Sequence, residues 1–530
     1  MDKNPIEQFI IEFASGELSR KRFDKLQRIY AKASQLSFFT NDQLLLAYQT
    51  LLIGQLVEKN IGLEKFLTLK STRSNSGIVV VSVLTKPYDC PGRCLYCPTQ
   101  AGAPKSYLAE EPAVMRAITC NYDPYLQVSS RLKALEAVGH LTDKVNIRII
   151  GGTWSAYPTE YRTEFVRELF KAANGRIRES GVESLENLQK QNETTKHRIV
   201  EISIETRQDH IDMDEIKHLR ELGVTKVELG VQSLDDEILK LNNRGNDTAS
   251  TIRATKLLKN AGFKVSYQMM VNLYGADLKR DLEIFKELFE NPDFKPDHLK
   301  IYPLALVKEA EIYKLFEQKR YKPYTESELT GLLVEIKKLV PPYCRIERVI
   351  RDIPTEYIVE GGAKISNLRQ NVLLELDKQN AKCQCIRCRE IKGDYNIDED
   401  YKMFRLDYEA SDGREIFLSI ESKDRARLLA LLRLRIPTNY SESLPVLKNS
   451  AIIREMHTYG PQVAIGQNND LAAQHQGFGT KLLSEAETIA KKEFYLDKVS
   501  IIAGVGVRGF FEKFSYKLDR CYMTKTLTKD

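Results

Sequence analysis

Cys90, Cys94 and Cys97 stand at x3 and x2 spacing in the run Cys90-Pro-Gly-Arg-Cys94-Leu-Tyr-Cys97-Pro98, directly after an apolar, strand-like stretch. Three thiolates so spaced can hold three irons of a four-iron, four-sulfur cube and leave the fourth iron open to a small-molecule ligand. Zinc is the alternative occupant of a cysteine loop, but a zinc site wants a fourth nearby ligand, and no Cys or His follows within reach. A second set, Cys383-x-Cys385-x2-Cys388, crowds three thiols into six residues and reads as a structural zinc site; Cys344, a distant His or an acidic side chain could complete it. Near the carboxyl end, Gln474-His-Gln-Gly477-Phe478-Gly479-Thr480 precedes an amphipathic stretch over residues 481–492. Glycines at those places let backbone amides turn toward an anion at a helix amino terminus, where the helix dipole favours phosphate. The plainer alternative is a helix–strand corner closed by glycine.

The elements that must position these residues are legible in the apolar pattern. The chain has 530 residues, 42% apolar and 29% charged, enough for several domains. It contains no run of eighteen apolar residues and opens without a basic, then apolar leader, so a cytoplasmic protein with no membrane partner is expected. Nine cysteines, mostly in two short sets, fit metal ligation in a reducing compartment better than disulfides. A net charge of +6 from 79 basic and 73 acidic residues permits a nucleic-acid partner without arguing for one. Residues 1–75 show apolar positions at helical spacing (Ile6, Phe9, Ile10, Phe13) and predict a helical domain. Over 76–340, short apolar runs at 78–84, 145–150, 199–204, 227–231, 265–270 and 298–302 alternate with helix-length segments, which predicts a parallel sheet curled into a partial (β/α)6 barrel. The distinctive residues follow the ends of those runs: the cysteine loop, Gly151-Gly152-Thr153, Glu205-Thr-Arg207 and Gln232, at the face where barrels build active sites. The polar stretch 174–196 reads as an inserted or mobile surface segment. Residues 341–402 read as a zinc-binding linker ending in a charged run from Arg389. From 403 to 530, runs at 415–420, 428–434, 451–459 and 499–505 predict a separate α/β domain.

The order of features in that last domain, a strand ending Glu455-Met456-His457-Thr458, then the glycine loop, then a strand and the segment Arg508-Gly-Phe510-Phe511-Glu-Lys513, is similar to the GNAT acetyltransferase fold. Cys90 to Pro98, Tyr122-Asp-Pro-Tyr125, Gly151-Gly-Thr-Trp154, the segment 200–211, Glu228-Leu-Gly-Val-Gln-Ser233, the second cysteine set and a closing GNAT domain together resemble the Elongator catalytic subunit family, in its stand-alone prokaryotic type. The resemblance spans residues 70–530. It implies a radical S-adenosylmethionine (SAM) enzyme that uses a 4Fe-4S cluster, SAM and acetyl-CoA to carboxymethylate C5 of the wobble uridine, position 34, of tRNA. It implies that Cys90, Cys94 and Cys97 hold the cluster, that Gly151, Gly152 and Thr153 meet the SAM amino-acid end, and that Glu205, Arg207 and Gln232 contact its ribose or carboxylate, although each could instead be a barrel-mouth ion pair. Lys144 matches a lysine that contacts acetyl-CoA. Glu455 to Thr458, Gln474 and Gly477 to Thr480 match acetyl-CoA-contacting positions, with His457 a candidate base against the plainer reading of a structural strand His. The family usually has two tyrosines at Phe510 and Phe511, the second contacting or protonating the CoA thiolate; phenylalanine cannot donate that proton, and Tyr516 or Tyr459 are the substitutes available.

For tRNA the expected surface is the helical domain with the barrel mouth, through Lys70, Arg73 and Lys86, with Arg20, Lys21, Arg22 and Lys25 behind them. The sequence requires no accessory Elongator subunit and allows a homodimer. The competing functions are a protein lysine acetyltransferase using the GNAT domain alone, which Phe511 disfavours, and a non-enzymatic tRNA scaffold, which the intact cysteine set disfavours.

Overall fold

In the first strand, β1 (Val79–Leu84), Val79, Val81 and Val83 are buried while Val80 faces out. The structure is a computed structural model that describes all residues except 1–3, 35–38, 40, 55, 59, 68–76, 177–182, 366, 392–398, 441, 461–475 and 528–530. β1 is followed by β2 (Lys144–Ile150), β3 (Arg198–Thr206), β4 (Lys226–Gln232), β5 (Lys264–Val271), β6 (His298–Pro303) and β7 (Arg345–Arg348). They form one sheet in which spatial order is sequence order and every neighbouring pair is parallel. Parallel neighbours need a crossover, and helices between the strands supply it, curling the sheet into the expected partial barrel. All six anticipated strands are present. β7 is an addition at the edge beside β6; its four residues, Arg-Ile-Glu-Arg, contain a single apolar side chain and so carry no readable alternation.

Before the barrel, α1 (Pro5–Ala14), α2 (Arg20–Ser34), α3 (Asn41–Ile53) and α4 (Ile61–Leu67) pack a core of their own around Phe9, Phe13, Phe23 and Tyr48. The stretch 174–196 differs from its expectation as a surface insertion. A helix, Leu185–Asn192, starts at Ser184, whose side chain accepts a hydrogen bond from the Asn187 amide. Asn192 is fully buried, and its Oδ1 accepts from the Ile199 amide at 2.8 Å. The buried Gln189 and Asn192 serve backbone groups, Gln189 donating to the Glu221 carbonyl at 2.9 Å, which composition could not reveal.

The second sheet has the order β13-β14-β12-β11-β10-β9-β8, with β8 (Tyr401–Glu409), β9 (Gly413–Ser422), β10 (Leu428–Pro437), β11 (Ala451–Thr458), β12 (Lys498–Ile501), β13 (Lys517–Asp519) and β14 (Tyr522–Thr526). β11 and β12 are its parallel pair, and they pair only over Ala451–Ile453 before diverging. β12 ends at Ile501, short of the expected 505, because Val505–Val507 turns as a 3₁₀ helix onto the barrel. Arg389, expected as the start of a charged linker, is buried and ion-paired with Glu421 at 2.9 Å.

This sheet packs against the floor of the barrel, the end opposite the cysteine loop. At Gly504 any Cβ would collide with the Val200 carbonyl at the start of β3, so glycine is what permits the approach. The contact is ionic as well as apolar. Arg454 donates to both carboxylate oxygens of Asp297 at 2.8 and 2.5 Å, to Glu415, and to the Phe263 carbonyl at 2.7 Å. Arg433 donates to Glu455 and to the Tyr343 carbonyl, both at 2.7 Å. Register explains how Arg454 and Glu455, neighbours in β11, both reach down: Arg433 pairs with Glu455 and Leu434 with Ile453, leaving Arg454 as the extra residue of a bulge.

Candidate active site

At the barrel mouth the cysteine loop leaves β1 and the loop after β2 closes over it. Gly151 and Gly152 have φ of +123° and +105°, and a Cβ on Gly151 would lie 2.5 Å from Thr85 Oγ1. Only glycine fits both demands. The turn brings Thr153 Oγ1 to 3.6 Å from Cys90 Sγ, while the Gly92 amide donates to the same sulfur at 3.4 Å. Arg244 Nη1 donates to Cys94 Sγ at 3.7 Å. A hydrogen bond from Cys97 pulls the Cys94 thiol below its usual range, with Arg244 adding to the effect. Three sulfurs gathered in one loop with the Arg244 guanidinium beside Cys94 suit a cluster with several anionic sulfurs. Arg207 is spent on its surroundings: it pairs with Asp209 at 2.7 Å, donates to the Arg244 carbonyl at 3.0 Å and abuts Gly92, where a Cβ would lie 2.5 Å from it. It braces the cysteine loop from below.

A cavity of about 420 Å³ opens beside Cys97 and is lined by Tyr107, Glu205, Gln232, Lys300 and Arg351 among others. Tyr107 donates to Glu205 at 2.7 Å, Gln268 donates to it at 2.8 Å, and Lys300 pairs with it at 3.1 Å. Gln232 sits at φ +71°, a conformation a side-chain-bearing residue rarely adopts. Lys300, Arg244 and Arg351 were not singled out from the sequence, and Glu228 entered only as the first residue of a motif, with no role. A signal existed for two of them, since Lys300 and Glu228 interrupt runs that are otherwise buried on both faces. Arg244 and Arg351 lie in loops and had none.

At the second sheet the diverging strands leave an opening. A Cβ on Gly479 would lie 3.7 Å from Met456 Cε and 3.9 Å from the Phe510 ring, so these three meet beside the amino terminus of the helix Phe478–Lys492. Gly477 caps that helix at φ +71°, and Thr480 is exposed. Gln474 lies outside the described residues. Phe510 is 38% exposed beside Gly479, whereas Phe511 is buried and packs toward Tyr516. Tyr516 donates its hydroxyl to Glu487 at 2.9 Å, and burial with that carboxylate pushes its pKa well up. It is a poor proton source. Tyr459 is likewise buried, its oxygen accepting from Arg345 at 3.3 Å. The His457 ring lies tilted against that of Tyr459, with centres 4.3 Å apart. Glu455 turns toward the barrel floor. Lys144, at the floor end of β2, is far along the strand from the cysteine loop; it pairs in register with Arg198, against which Gly506 packs. Burial draws its amine below the usual lysine range.

Cys383, Cys385 and Cys388 have sulfurs within 4.8 Å of one another, a trio gathered closely enough for one ion. Lys337 donates to Cys388 Sγ at 3.7 Å. Cys344 is fully buried nearby but is not part of the trio. Of the expected tRNA contacts, Lys86 is exposed beside the cysteine loop with its amine 4.9 Å over the Tyr161 ring; Lys70 and Arg73 lie outside the described residues. Arg20, Lys21 and Lys25 are exposed on α2, but Arg22 is turned inward onto the Phe13 carbonyl at 2.8 Å.

Comparison with known proteins places this architecture. The Radical SAM superfamily matches residues 86–288 and the Radical SAM C-terminal domain residues 296–378, which makes the barrel that of a radical SAM protein, a class that uses SAM and a 4Fe-4S cluster. The chain is 40% identical over 537 residues to the tRNA uridine(34) acetyltransferase of Methanocaldococcus jannaschii, covering 98% of this chain and 97% of that one. It is 44% identical to the protein of the same name from Dehalococcoides mccartyi, over 86% and 99% of the two chains, and 38% identical to human Elongator complex protein 3, over 87% and 86%. The solved Methanocaldococcus infernus Elp3 with an N-terminal deletion superposes with a TM-score of 0.74 at 39% identity, covering 85% of this chain and all of that one. The chain therefore belongs to the family of tRNA uridine(34) acetyltransferases and Elongator complex protein 3. Among the described residues no helix is long and apolar enough to cross a membrane.

Proposed function

We propose that this chain carboxymethylates C5 of uridine 34 in tRNA, taking the two carbons from acetyl-CoA. The observation that carries the reading is the pairing of two sites on one chain: a cysteine loop facing a polar cavity at the barrel mouth, and a glycine-capped helix terminus in the strand opening of the second sheet. Relatives bearing the name tRNA uridine(34) acetyltransferase share both domains over nearly their full length.

An acetyl methyl is too weakly acidic for a side-chain base of ordinary pKa. Cys90, Cys94 and Cys97 would hold the 4Fe-4S cluster, which together with SAM would supply the radical chemistry that removing a hydrogen from that methyl requires. The chain's residues bind and shield. Thr153 and the glycines before it offer backbone beside Cys90, Glu205 and Gln232 present polar groups to the cavity, and Arg244 balances sulfur charge. Gly477 and Gly479 open the helix terminus to pyrophosphate, with Met456 and Phe510 forming the apolar wall. Phe511 cannot act as an acid, and the hydroxyl of Tyr516 is engaged, so the second domain binds acetyl-CoA for thioester hydrolysis without a tyrosine proton donor. Cys383, Cys385 and Cys388 hold zinc in the segment joining the two sheets, and α1 to α4 with Lys86 contact tRNA.

The test is anaerobic incubation of reconstituted protein, reductant, SAM, carbon-labelled acetyl-CoA and unmodified tRNA, followed by nucleoside mass spectrometry. Labelled carboxymethyluridine that disappears with Cys94→Ala is expected. Peptide acetylation without SAM, and no modified uridine, would overturn the reading.

A further inference from the structure

A file of buried ion pairs runs the length of the barrel axis and crosses into the second sheet. It begins at the cavity with Glu205, which pairs with Lys300 at 3.1 Å. Lys300 pairs with Glu228, Glu228 with Lys226 at 3.3 Å, and Lys226 with Glu347. Glu347 accepts from His298 Nδ1 at 2.9 Å. The other ring nitrogen of His298 faces Glu455 of β11 at 3.6 Å, and Lys264 approaches the same carboxylate at 3.8 Å. Every member from Glu205 to Glu455 has a side chain no more than 16% exposed.

The file is tight except at the boundary between the domains. Glu455 is held at 2.7 Å by Arg433 of its own sheet, while its two barrel partners stand off, and His298 Nε2 has no hydrogen-bond partner. Burial works to neutralise Glu455, but Lys264 and Arg433 hold its pKa well below the usual range, so it stays charged. A buried charge that shifts must take its partners with it, because leaving one unpaired is costly. Glu455 sits in the bulge next to Met456, whose methyl faces Gly479 in the opening where the acyl cofactor is proposed to bind. An approach of Glu455 would complete the hydrogen bond that His298 Nε2 lacks, so the place of β11 and the file are linked through this one contact.

We propose that His298 and Glu455 are positioning residues that couple the acyl-cofactor opening of the second sheet to the SAM end of the barrel. Closing on Glu455 draws His298 and Glu347 toward the floor, and Lys226, Glu228 and Lys300 re-pair above them, which moves Glu205 in the cavity. The proposal rests on the functional reading above for the identity of the two ligands.

The experiment is calorimetric titration of the reconstituted holoenzyme with SAM, alone and with saturating S-ethyl-CoA, a thioether that keeps the pyrophosphate and pantetheine but has no thioester. In the wild type the SAM dissociation constant changes by about fivefold or more, and SAM shifts the S-ethyl-CoA constant by the same factor. In His298→Asn, which keeps the Glu347 hydrogen bond but cannot reach Glu455, each ligand alone binds within about twofold of wild type and the mutual effect falls below about twofold. His298→Gln, whose amide reaches toward the Nε2 position, restores part of it. A merely structural role for His298 would lower thermal stability and leave the ratio untouched. Equal SAM affinity with and without S-ethyl-CoA in the wild type, or an undiminished ratio in His298→Asn, overturns the proposal while leaving the function standing. Failure of either ligand to bind the wild type overturns the functional reading itself.

Discussion

Replacing Arg454 by Met separates what burial contributes from what hydrogen-bond number contributes. Arg454 is fully buried between the barrel floor and the second sheet, and its loss leaves Asp297 with Arg433 at 3.6 Å and the Val265 amide at 2.9 Å, and Glu415 with Arg435 at 2.8 Å. Each carboxylate keeps a partner, so the cost is that of breaking one buried pair, about 3–5 kcal/mol, and not twice that. Burial drives the Asp297 pKa up, yet Arg454 and Arg433 overcome it and hold the acid far below its usual range, so without Arg454 Asp297 is a buried charge left with only its more distant arginine, Arg433. The control is Arg405, which donates to Asp407 at 2.7 and 2.9 Å and to Glu493 at 2.6 and 2.7 Å but is 33% exposed. Arg405→Met is expected to cost about 0–1 kcal/mol. Urea unfolding of both variants, followed by circular dichroism and by the fluorescence of Trp154, the single tryptophan, reads the difference at unchanged m value. Equal costs for the two arginines, or a loss below about 1 kcal/mol for Arg454→Met, would refute the argument that burial makes this contact decisive.

Gly151→Ala forces a Cβ into Thr85 at a left-handed φ and is expected to destabilise by about 2–5 kcal/mol, with SAM binding by the holoenzyme lost before the fold is; calorimetry and thermal unfolding together check this. Asp281 is buried, which raises its pKa from 3.8 to about 6 despite hydrogen bonds from Asn272 and Tyr324. Between those values the folded protein keeps a proton that the unfolded chain releases, so this group makes stability fall as pH rises from about 4 to 6, by up to about 3 kcal/mol; Asp281→Asn removes that slope in urea unfolding measured across the window. Cys385→Ser is expected to abolish the zinc measured by plasma mass spectrometry in purified protein and to lower the melting temperature of the segment joining the two sheets, while iron content after reconstitution is unchanged.

Much of the architecture is local, and local properties are written in sequence. Cys90, Cys94 and Cys97 need only a strand before them and a short loop, so their spacing was enough to propose a cluster. The six strands of the barrel were readable because β-branched and apolar side chains recur where burial on both faces demands them. The helical pattern of α1 and the glycines of the helix terminus at Phe478 are of the same kind. Partners distant in the chain were not readable. Arg454 resembles any arginine in a strand until the floor of the barrel supplies Asp297, 157 residues away. Arg207, expected at SAM or in a barrel-mouth ion pair, pairs with Asp209, and Glu455, matched to an acetyl-CoA-contacting position, turns to Arg433 and His298. In each case the side chain's chemistry is fixed by its identity, but which opposite charge it meets is settled by tertiary packing, because a charge taken out of water must find its partner wherever the fold has left one.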